Sequence, residues 1–580
     1  MVDLTINNIE TSMPEGSTIL EAAKSLGIHI PTLCHLDLHD IKMVNQVGTC
    51  RVCMVEVEGR RNLLPSCSTL VTPGMVIHTN TKRAVRARRM IVELLLSNHP
   101  RECLICNRNQ NCELQSLSAE LGIREIRYKG PRLHTDKDTS SYSIVRNAEK
   151  CVLCRRCETM CNTVQTVGVY SAVHRGFETV IGPAFDKPML DTACTFCGQC
   201  VSVCPTGALT ETNDAADVWD AISDPDKIVI AQTAPAVRVA LGEAFGLPIG
   251  TSVTGKMVAA LRRMGFDKVM DTDFAADLTI MEEASEMIHR IQHNGRLPIL
   301  TSCCPAWVKF IEHQFPSLLD IPSTCKSPHE MFGAIAKTYL AEKLGMDPEK
   351  IVVVSIMPCL AKKFEAKREE LSGKEIGSNV DYVISTRELA RMIREAGISF
   401  TSLPDEDFDD VMGESTGASV IFGTTGGVIE AAVRTAAAWL DKDNPSPQIE
   451  FKALRGIEGI REAEVEIAGM KLSIAIAHGL GNARKLLTDI RDGKVQYHAI
   501  EIMACPSGCV GGGGQPYHGN NIEVLRKRAG ALYSEDESKT LRRSHENPQI
   551  QKLYEEFLGE PYGELAHELL HTHYHERDML

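Results

Sequence analysis

A chain of 580 residues, 43% hydrophobic and 24% charged, is long enough for several domains and has the make-up of water-soluble globular protein. A formal net charge of -14 argues against nucleic acid as a partner. No apolar run reaches the roughly 20 residues of a membrane span, and Met1-Val2-Asp3-Leu4-Thr5 has no basic region or apolar core, so a cytoplasmic protein without a membrane partner is expected. In a reducing compartment 21 cysteines are not a disulfide framework and point to metal ligation or redox chemistry.

The first expected element is a hairpin, Val2–Ile6 turning at Asn7-Asn8, followed by a helix capped at Ser17 or Thr18. Cys34, Cys50, Cys53 and Cys67 come after it. Hairpin, helix and then loop cysteines resemble the plant-type ferredoxin β-grasp domain, which implies a 2Fe–2S cluster on those four thiols. The wide first spacing is similar to the variant at the front of hydrogenases and of the large iron–sulfur subunit of respiratory complex I. Zinc also takes four thiolates, but the β-grasp preface weighs against it.

A basic, helix-forming run, Lys82 to Arg89, leads into Ile91–Leu96 and reads as a solvated helix face. His99 then precedes Cys103, Cys106 and Cys112. This pattern resembles the His-Cys₃ 4Fe–4S site of the same two families, in which a neutral imidazole makes the cluster less negative and should raise its potential. The one internal repeat follows: Cys151, Cys154, Cys157 and Cys161, then Cys194, Cys197, Cys200 and Cys204. Both runs have bacterial ferredoxin spacing, in which the fourth cysteine of each serves the other cluster. One 4Fe–4S cluster is therefore assigned to Cys151, Cys154, Cys157 and Cys204, and another to Cys194, Cys197, Cys200 and Cys161.

From about residue 213 short apolar runs alternate with helical stretches, which argues for α/β lobes. Lys227–Ala231 and Ile351–Ser355 are the expected strands, with Leu297–Leu300 and Ser419–Phe422 as weaker ones. Candidate binding residues follow such strands, where open parallel sheets place ligands. Three segments stand out: Cys303-Cys304-Pro305, Met357-Pro358-Cys359-Leu360-Ala361-Lys362, and Met503-Ala504-Cys505-Pro506-Ser507-Gly508-Cys509.

Together these segments resemble the cluster-binding motifs of FeFe-hydrogenases. The resemblance implies an H-cluster, a 4Fe–4S unit joined to a di-iron unit carrying carbonyl, cyanide and dithiolate ligands, held by Cys304, Cys359, Cys505 and the bridging Cys509. Soft thiolates suit both parts. It further implies that Ala234, Pro235, Ser327, Pro328, Met357 and Met503 surround the di-iron unit and that Lys362 pairs with a cyanide. Ser507 stands where the family usually has glycine, Ala236 where serine is frequent, and His329 where clostridial relatives have glutamine. Cys303, Glu283, Ser323, Glu286 and Arg290 match the family's proton route, and the glutamates and arginine, three and four apart, share one helix face. Read without the family, that stripe would be a solvated face. Cys325 reads as a small buried hydrophobe. The polar C-terminal segment resembles the small-subunit tail that wraps the catalytic domain.

The expected fold is thus multidomain α/β: a β-grasp 2Fe–2S domain (1–80), a His-Cys₃ 4Fe–4S domain (81–140), a ferredoxin-like domain with two 4Fe–4S clusters (141–212), a two-lobed α/β catalytic domain (213–525) and a helical tail (526–580). The expected function is reversible conversion of H2 into protons and electrons, the electrons leaving over one 2Fe–2S and three 4Fe–4S clusters. They would go to ferredoxin or to flavin- and NAD(P)-binding partner subunits, because neither a Walker lysine nor G-x-G-x-x-G occurs. The competing expectation is a non-catalytic electron-transfer subunit of complex I type. Such a subunit should lack the four late cysteines and the Glu-Ser-Glu route.

Overall fold

The computed structural model describes residues 1–38, 47–293, 295–301, 303–373, 376–441 and 449–578. Two compact units emerge: the first holds Met1–Thr163, Gly168–Leu190 and Val203–Thr210, the second Val164–Val167, Asp191–Ser202 and Glu211–Leu580.

In the first unit Val2–Ile6 pairs antiparallel with Ile9–Met13. Asn7 and Asn8 both take positive φ, as a two-residue hairpin turn requires. The same strand pairs in parallel with Met75–His78, and Met54–Val57 and Leu64–Pro65 complete a five-stranded sheet. Helix Ile19–Ser25 starts at a capping box of Thr18 and Glu21 and buries Ile19, Ala22 and Ala23. They pack with Leu4, Ile6, Val55 and Ile77, each large aliphatic contributing about 1.5–3 kcal/mol. Helix Lys82–Asn98 keeps most of its basic run in solvent but turns Arg88 inward, where the guanidinium donates to the Met54 carbonyl at 2.8 and 3.1 Å.

The second unit contains two four-stranded sheets. One is wholly parallel, in the order Lys268–Asp271, Ile228–Thr233, Ile351–Met357, Tyr382–Ser385. Every residue of Ile351–Met357 is buried, as befits a central strand covered on both faces. The other runs Ile299–Leu300, Ala499–Met503, Met470–His478, Ile460–Ile467, its last pair an antiparallel hairpin. Ser419–Phe422, expected as a strand, is instead the end of helix Gly417–Val420 and a 3₁₀ turn, Ile421–Gly423. A four-residue apolar run buried on all sides has no period that separates strand from helix, and Gly417 and Gly423 leave it too short to pair. The long helix Thr272–Gln292 packs against helices Pro328–Ile335 and Gly427–Leu440. Among the described residues no helix is long and apolar enough to cross a membrane.

Candidate functional site

Three of the expected ligand sets lie in the first unit, where Cys103 of the His99 set is exposed and Cys106 and Cys112 are partly buried. Cys34, Cys50, Cys53 and Cys67 are all buried, Cys34 hydrogen-bonding Cys50 and Cys67, and Cys53 hydrogen-bonding Cys67. His99 closes helix Lys82–Asn98 as its C-cap, and burial, aided by Lys150, pushes its imidazole down to about 4. Its Nδ1 is buried with no hydrogen-bond partner among the described residues, as a nitrogen kept for a metal would be. Cys204, brought in by the second repeat, acts electrostatically on both Cys151 and Cys154 of the first. This set is a junction. Thr49 Oγ1 donates to the Cys154 carbonyl at 3.2 Å, Arg108 donates to the Cys204 carbonyl at 2.8 Å, and a Cβ on Gly207 would lie 2.7 Å from Cys106 Sγ. Of the remaining set, Cys161 belongs to the first unit and Cys194, Cys197 and Cys200 to the second.

In the second unit the chain leaves one strand after another beside a single cavity. Ala234 and Pro235 follow Ile228–Thr233, Cys303 and Cys304 follow Ile299–Leu300, Cys359 follows Ile351–Met357, and Cys505 and Cys509 follow Ala499–Met503. Burial and then Cys304 push Cys359 up to about 12. Burial, then Cys359, Cys304 and Cys509, raise Cys505 well above its ordinary value, and Cys509 rises through burial, Cys304 and Cys359. Cys304 raises each of the other three, and thiols gathered this closely fit a metal cluster, which holds them as thiolates where water cannot. A Cβ on Gly513 would meet the Cys197 carbonyl at 2.7 Å, and Gln199 donates to the Gly511 carbonyl at 2.9 Å. The Cys194–Cys200 loop therefore lies against the Cys509 loop.

The cavity, about 70 Å³, is nearly all apolar. Ala234, Pro235, Pro328, Met357, Cys303 and Lys362 line it, whereas Ser327 and Met503 are buried beside it. Lys362 Nζ donates to the Cys303 carbonyl at 3.1 Å and to Glu365 Oε2 at 2.6 Å. Burial opposes its charge, but Glu365, joined by Cys303 and Cys359, more than offsets it and holds the ammonium above its usual range. His329 also lines the cavity, its Nε2 2.6 Å from Glu365 Oε2 and 3.1 Å from Glu330 Oε1. Burial and Lys362 push this imidazole down, and the two carboxylates more than offset them. Glu365 and Glu330 escaped the sequence analysis; the signal for Glu365 was its place one helical turn after Lys362.

Burial, and next the Glu283 carboxylate, raise the Cys303 thiol well above its ordinary value, so it stays protonated. Glu283 and Glu286 are buried on helix Thr272–Gln292. Glu286 accepts from Ser323 Oγ at 2.7 Å and from the Arg290 guanidinium. The stripe is thus no solvated face. Cys325 is buried as expected but is not a bystander, because its Sγ lies 3.8 Å from Glu286 Oε2.

Ser507 sits at φ +62°, in the left-handed region, with its Oγ buried and unpartnered among the described residues. Ser507→Gly should relieve about 1 kcal/mol of backbone strain and an unsatisfied hydroxyl worth about 1–3 kcal/mol, against about 0.5–1 kcal/mol of added chain entropy. The variant is expected to unfold at higher denaturant, and an unchanged or lower midpoint would contradict the reading.

Comparison with known proteins bears on this geometry. Residues 227–513 match the model of the iron only hydrogenase large subunit, C-terminal domain, and 522–577 that of the iron hydrogenase small subunit. Residues 1–82 match a 2Fe-2S iron-sulfur cluster binding domain, 88–127 the NADH-ubiquinone oxidoreductase-G iron-sulfur binding region, and 150–208 a 4Fe-4S dicluster domain. The chain is 58% identical to NADP-reducing hydrogenase subunit HndD of Solidesulfovibrio fructosivorans, over 100% of both chains. It is 40% identical to iron hydrogenase 1 of Clostridium pasteurianum, over 99% of this chain and 100% of that one. A solved structure of a variant of FeFe-hydrogenase HydA1 from Chlamydomonas reinhardtii matches 63% of this chain and 100% of its own, at 42% identity and a TM-score of 0.57.

Proposed function

This chain belongs to the iron-only hydrogenase family, carries accessory iron–sulfur domains and interconverts hydrogen with protons and electrons; from that premise we propose how its residues divide the work. Cys304, Cys359, Cys505 and Cys509 hold the H-cluster, which when bound supplies the redox and bond-splitting chemistry on dihydrogen. Cys359 and Cys509 on the wall of one apolar cavity, with Cys304 and Cys505 acting on them electrostatically, carry this reading. Lys362 presents a positive charge to anionic ligands at the cavity wall, and Glu365 fixes its ammonium there. The apolar lining excludes water, which strengthens that charge.

Cys303 Sγ takes up a proton at the cavity and hands its own to Glu283. The route continues over Ser323 to Glu286, with Arg290 orienting the last carboxylate. For electrons, Cys34, Cys50, Cys53 and Cys67 hold a 2Fe–2S cluster. His99 with Cys103, Cys106 and Cys112 holds one 4Fe–4S cluster, and the Cys151 and Cys194 sets hold two more. Electrons then pass to NADP through partner subunits, a reading supported by the similarity along the whole chain to HndD, a subunit of an NADP-reducing hydrogenase.

Infrared spectroscopy of the anaerobically matured protein is expected to show carbonyl and cyanide bands. The purified chain alone should reduce a viologen with H2 yet leave NADP⁺ untouched until its co-purified partners are present. Bands absent from a fully iron-loaded protein would overturn the H-cluster assignment, and NADP⁺ reduction by the lone chain the partner assignment.

A further inference from the structure

The proposed proton route ends at Glu286, beside Arg290, and a guanidinium does not give up a proton in a protein. Arg290 can orient Glu286 but cannot pass its proton on. Glu286 is instead the meeting point of several groups: it accepts from Ser323 Oγ at 2.7 Å, from the Thr324 amide at 3.1 Å and from Cys325 Sγ at 3.8 Å. One imidazole stands within reach. The ligating atoms of Glu286, Cys325 and His571 all lie within 4.8 Å of one another, and all three residues are buried.

His571 comes from the C-terminal tail, which pairs edge to edge with the loop carrying Ser323. The Thr572 amide donates to the Thr324 carbonyl at 2.7 Å, the Lys326 amide to the Leu570 carbonyl at 2.7 Å, and Tyr574 Oη to the Ser323 carbonyl at 2.7 Å. His571 Nδ1 lies 2.8 Å from Thr324 Oγ1, and Nε2 lies 3.0 Å from Glu282 Oε2. Glu282 also accepts from the Tyr554 hydroxyl and, at 2.9 Å, from the Tyr562 amide. As a carboxylate it can only accept from Nε2, so Nδ1 is the basic atom of the neutral ring. Beyond His571 the His567 ring stacks on it at 4.6 Å, interplanar angle 2°, and His567 is exposed.

We propose that the His571–Glu282 pair, linked to Glu286 by the Cys325 thiol, is the outer proton acceptor of the route and releases protons to solvent beside His567. The proposal rests on the inner route from Cys303 to Glu286. A proton on Glu286 passes to the Cys325 sulfur, the proton already on that sulfur moves to the Thr324 hydroxyl, and that hydroxyl gives its own proton to His571 Nδ1, 2.8 Å away. The imidazolium, paired with Glu282, then loses one proton to water. One proton moves from Glu286 to solvent, and no electron moves. Imidazole is the side chain suited to this step, because it both takes and gives a proton near neutral pH. The titratable and charged groups facing it are Glu282 and Glu286 on the long helix, Cys325 on the loop, and His567 and Tyr562 on the tail, with Arg290 and Tyr554 one contact further out.

The test uses the holoenzyme and two readouts. One is the pH profile of hydrogen oxidation; the other is the infrared carbonyl band of the buried carboxylic acids as pH is varied. The wild type should show an acid limb. His571→Gln, which keeps a hydrogen-bonding amide, should lose that limb and displace the carbonyl band of the Glu286 side chain. Cys325→Ala should lose the limb as well, and Cys325→Ser, which restores a protic bridge, should recover it. If His571→Gln does not accumulate, the Cys325 pair carries the same test. Profiles and bands of His571→Gln and Cys325→Ala that superimpose on those of the wild type would overturn the proposal. Glu283→Gln separates the two levels. If it is inactive while the tail variants are silent, only the outer acceptor falls, whereas an active Glu283→Gln removes the inner route and this proposal with it.

Discussion

Cys303→Ala is expected to reduce hydrogen turnover by at least about 10²–10⁴-fold, the range assigned to a positioned proton carrier, while iron content and the carbonyl and cyanide bands stay at wild-type levels. The reason is the poverty of alternatives at the cavity. Among the described residues its other protic side chains are the proposed cluster thiols, Thr272, Lys362 and His329. Lys362 is held by Glu365 and the Cys303 carbonyl, His329 by Glu330 and Glu365, and Thr272 Oγ1 donates to Gln232 at 3.0 Å. Only Cys303 pairs a neutral thiol with a neighbouring carboxylate that leads away from the site. The side chain is small and only half-buried against Phe422 and Met503, so the loss of stability should fall at the low end of the about 0.5–3 kcal/mol spread of point substitutions. Turnover near the wild-type rate in a fully loaded variant would remove the thiol from the route.

Lys362→Met should damage the protein in two ways. It keeps the aliphatic volume but deletes the cation that a buried carboxylate relies on, a change that costs about 3–5 kcal/mol where nothing else compensates. Here His329 still reaches Glu365 at 2.6 Å, so the lower end of that range is expected. The pH dependence has a definite sign. Burial opposes the charge of Glu365, yet Lys362 and then His329 hold its carboxyl down at about 2, against an ordinary 4.5. A depressed carboxyl stabilises the fold above its unfolded value and loses that contribution as pH falls through its folded value. The stability gap between wild type and variant should therefore be full at neutral pH and close as pH falls from about 4.5 to about 2. Denaturant unfolding at a series of pH values reads this directly, and a gap independent of pH would contradict it. The second damage is to loading: with no positive charge at the wall, the carbonyl and cyanide band intensity per protein should drop sharply.

Much of this was legible in the order of residues. Ser17 or Thr18 announced a cap for the first helix, of which the structure uses Thr18, and Asn7-Asn8 announced the hairpin before it. The spacing of Glu283, Glu286 and Arg290 placed them on one helix face. Ser419–Phe422 misled, because a short apolar stretch surrounded by core has no exposed side to reveal its period. His329, Glu330, Lys362 and Glu365 form one ionic cluster although its two halves, 329–330 and 362–365, lie more than 30 positions apart. Cys325 looked inert for the same reason: its neighbours, Glu286 and His571, lie 39 and 246 positions away.

By itself the sequence determined what is local: which cysteines are spaced to share a metal, which residues cap and turn, and which polar groups ride together on one helix. Such features depend on the geometry of a few successive peptide units, which hardly varies from protein to protein. The tertiary structure alone decided which strand ends open into the same cavity, which charges are buried together, and how the tail reaches the loop carrying Ser323. Those outcomes depend on sheet order and long-range pairing, where the free energy of one contact is set by all the others that exclude water around it.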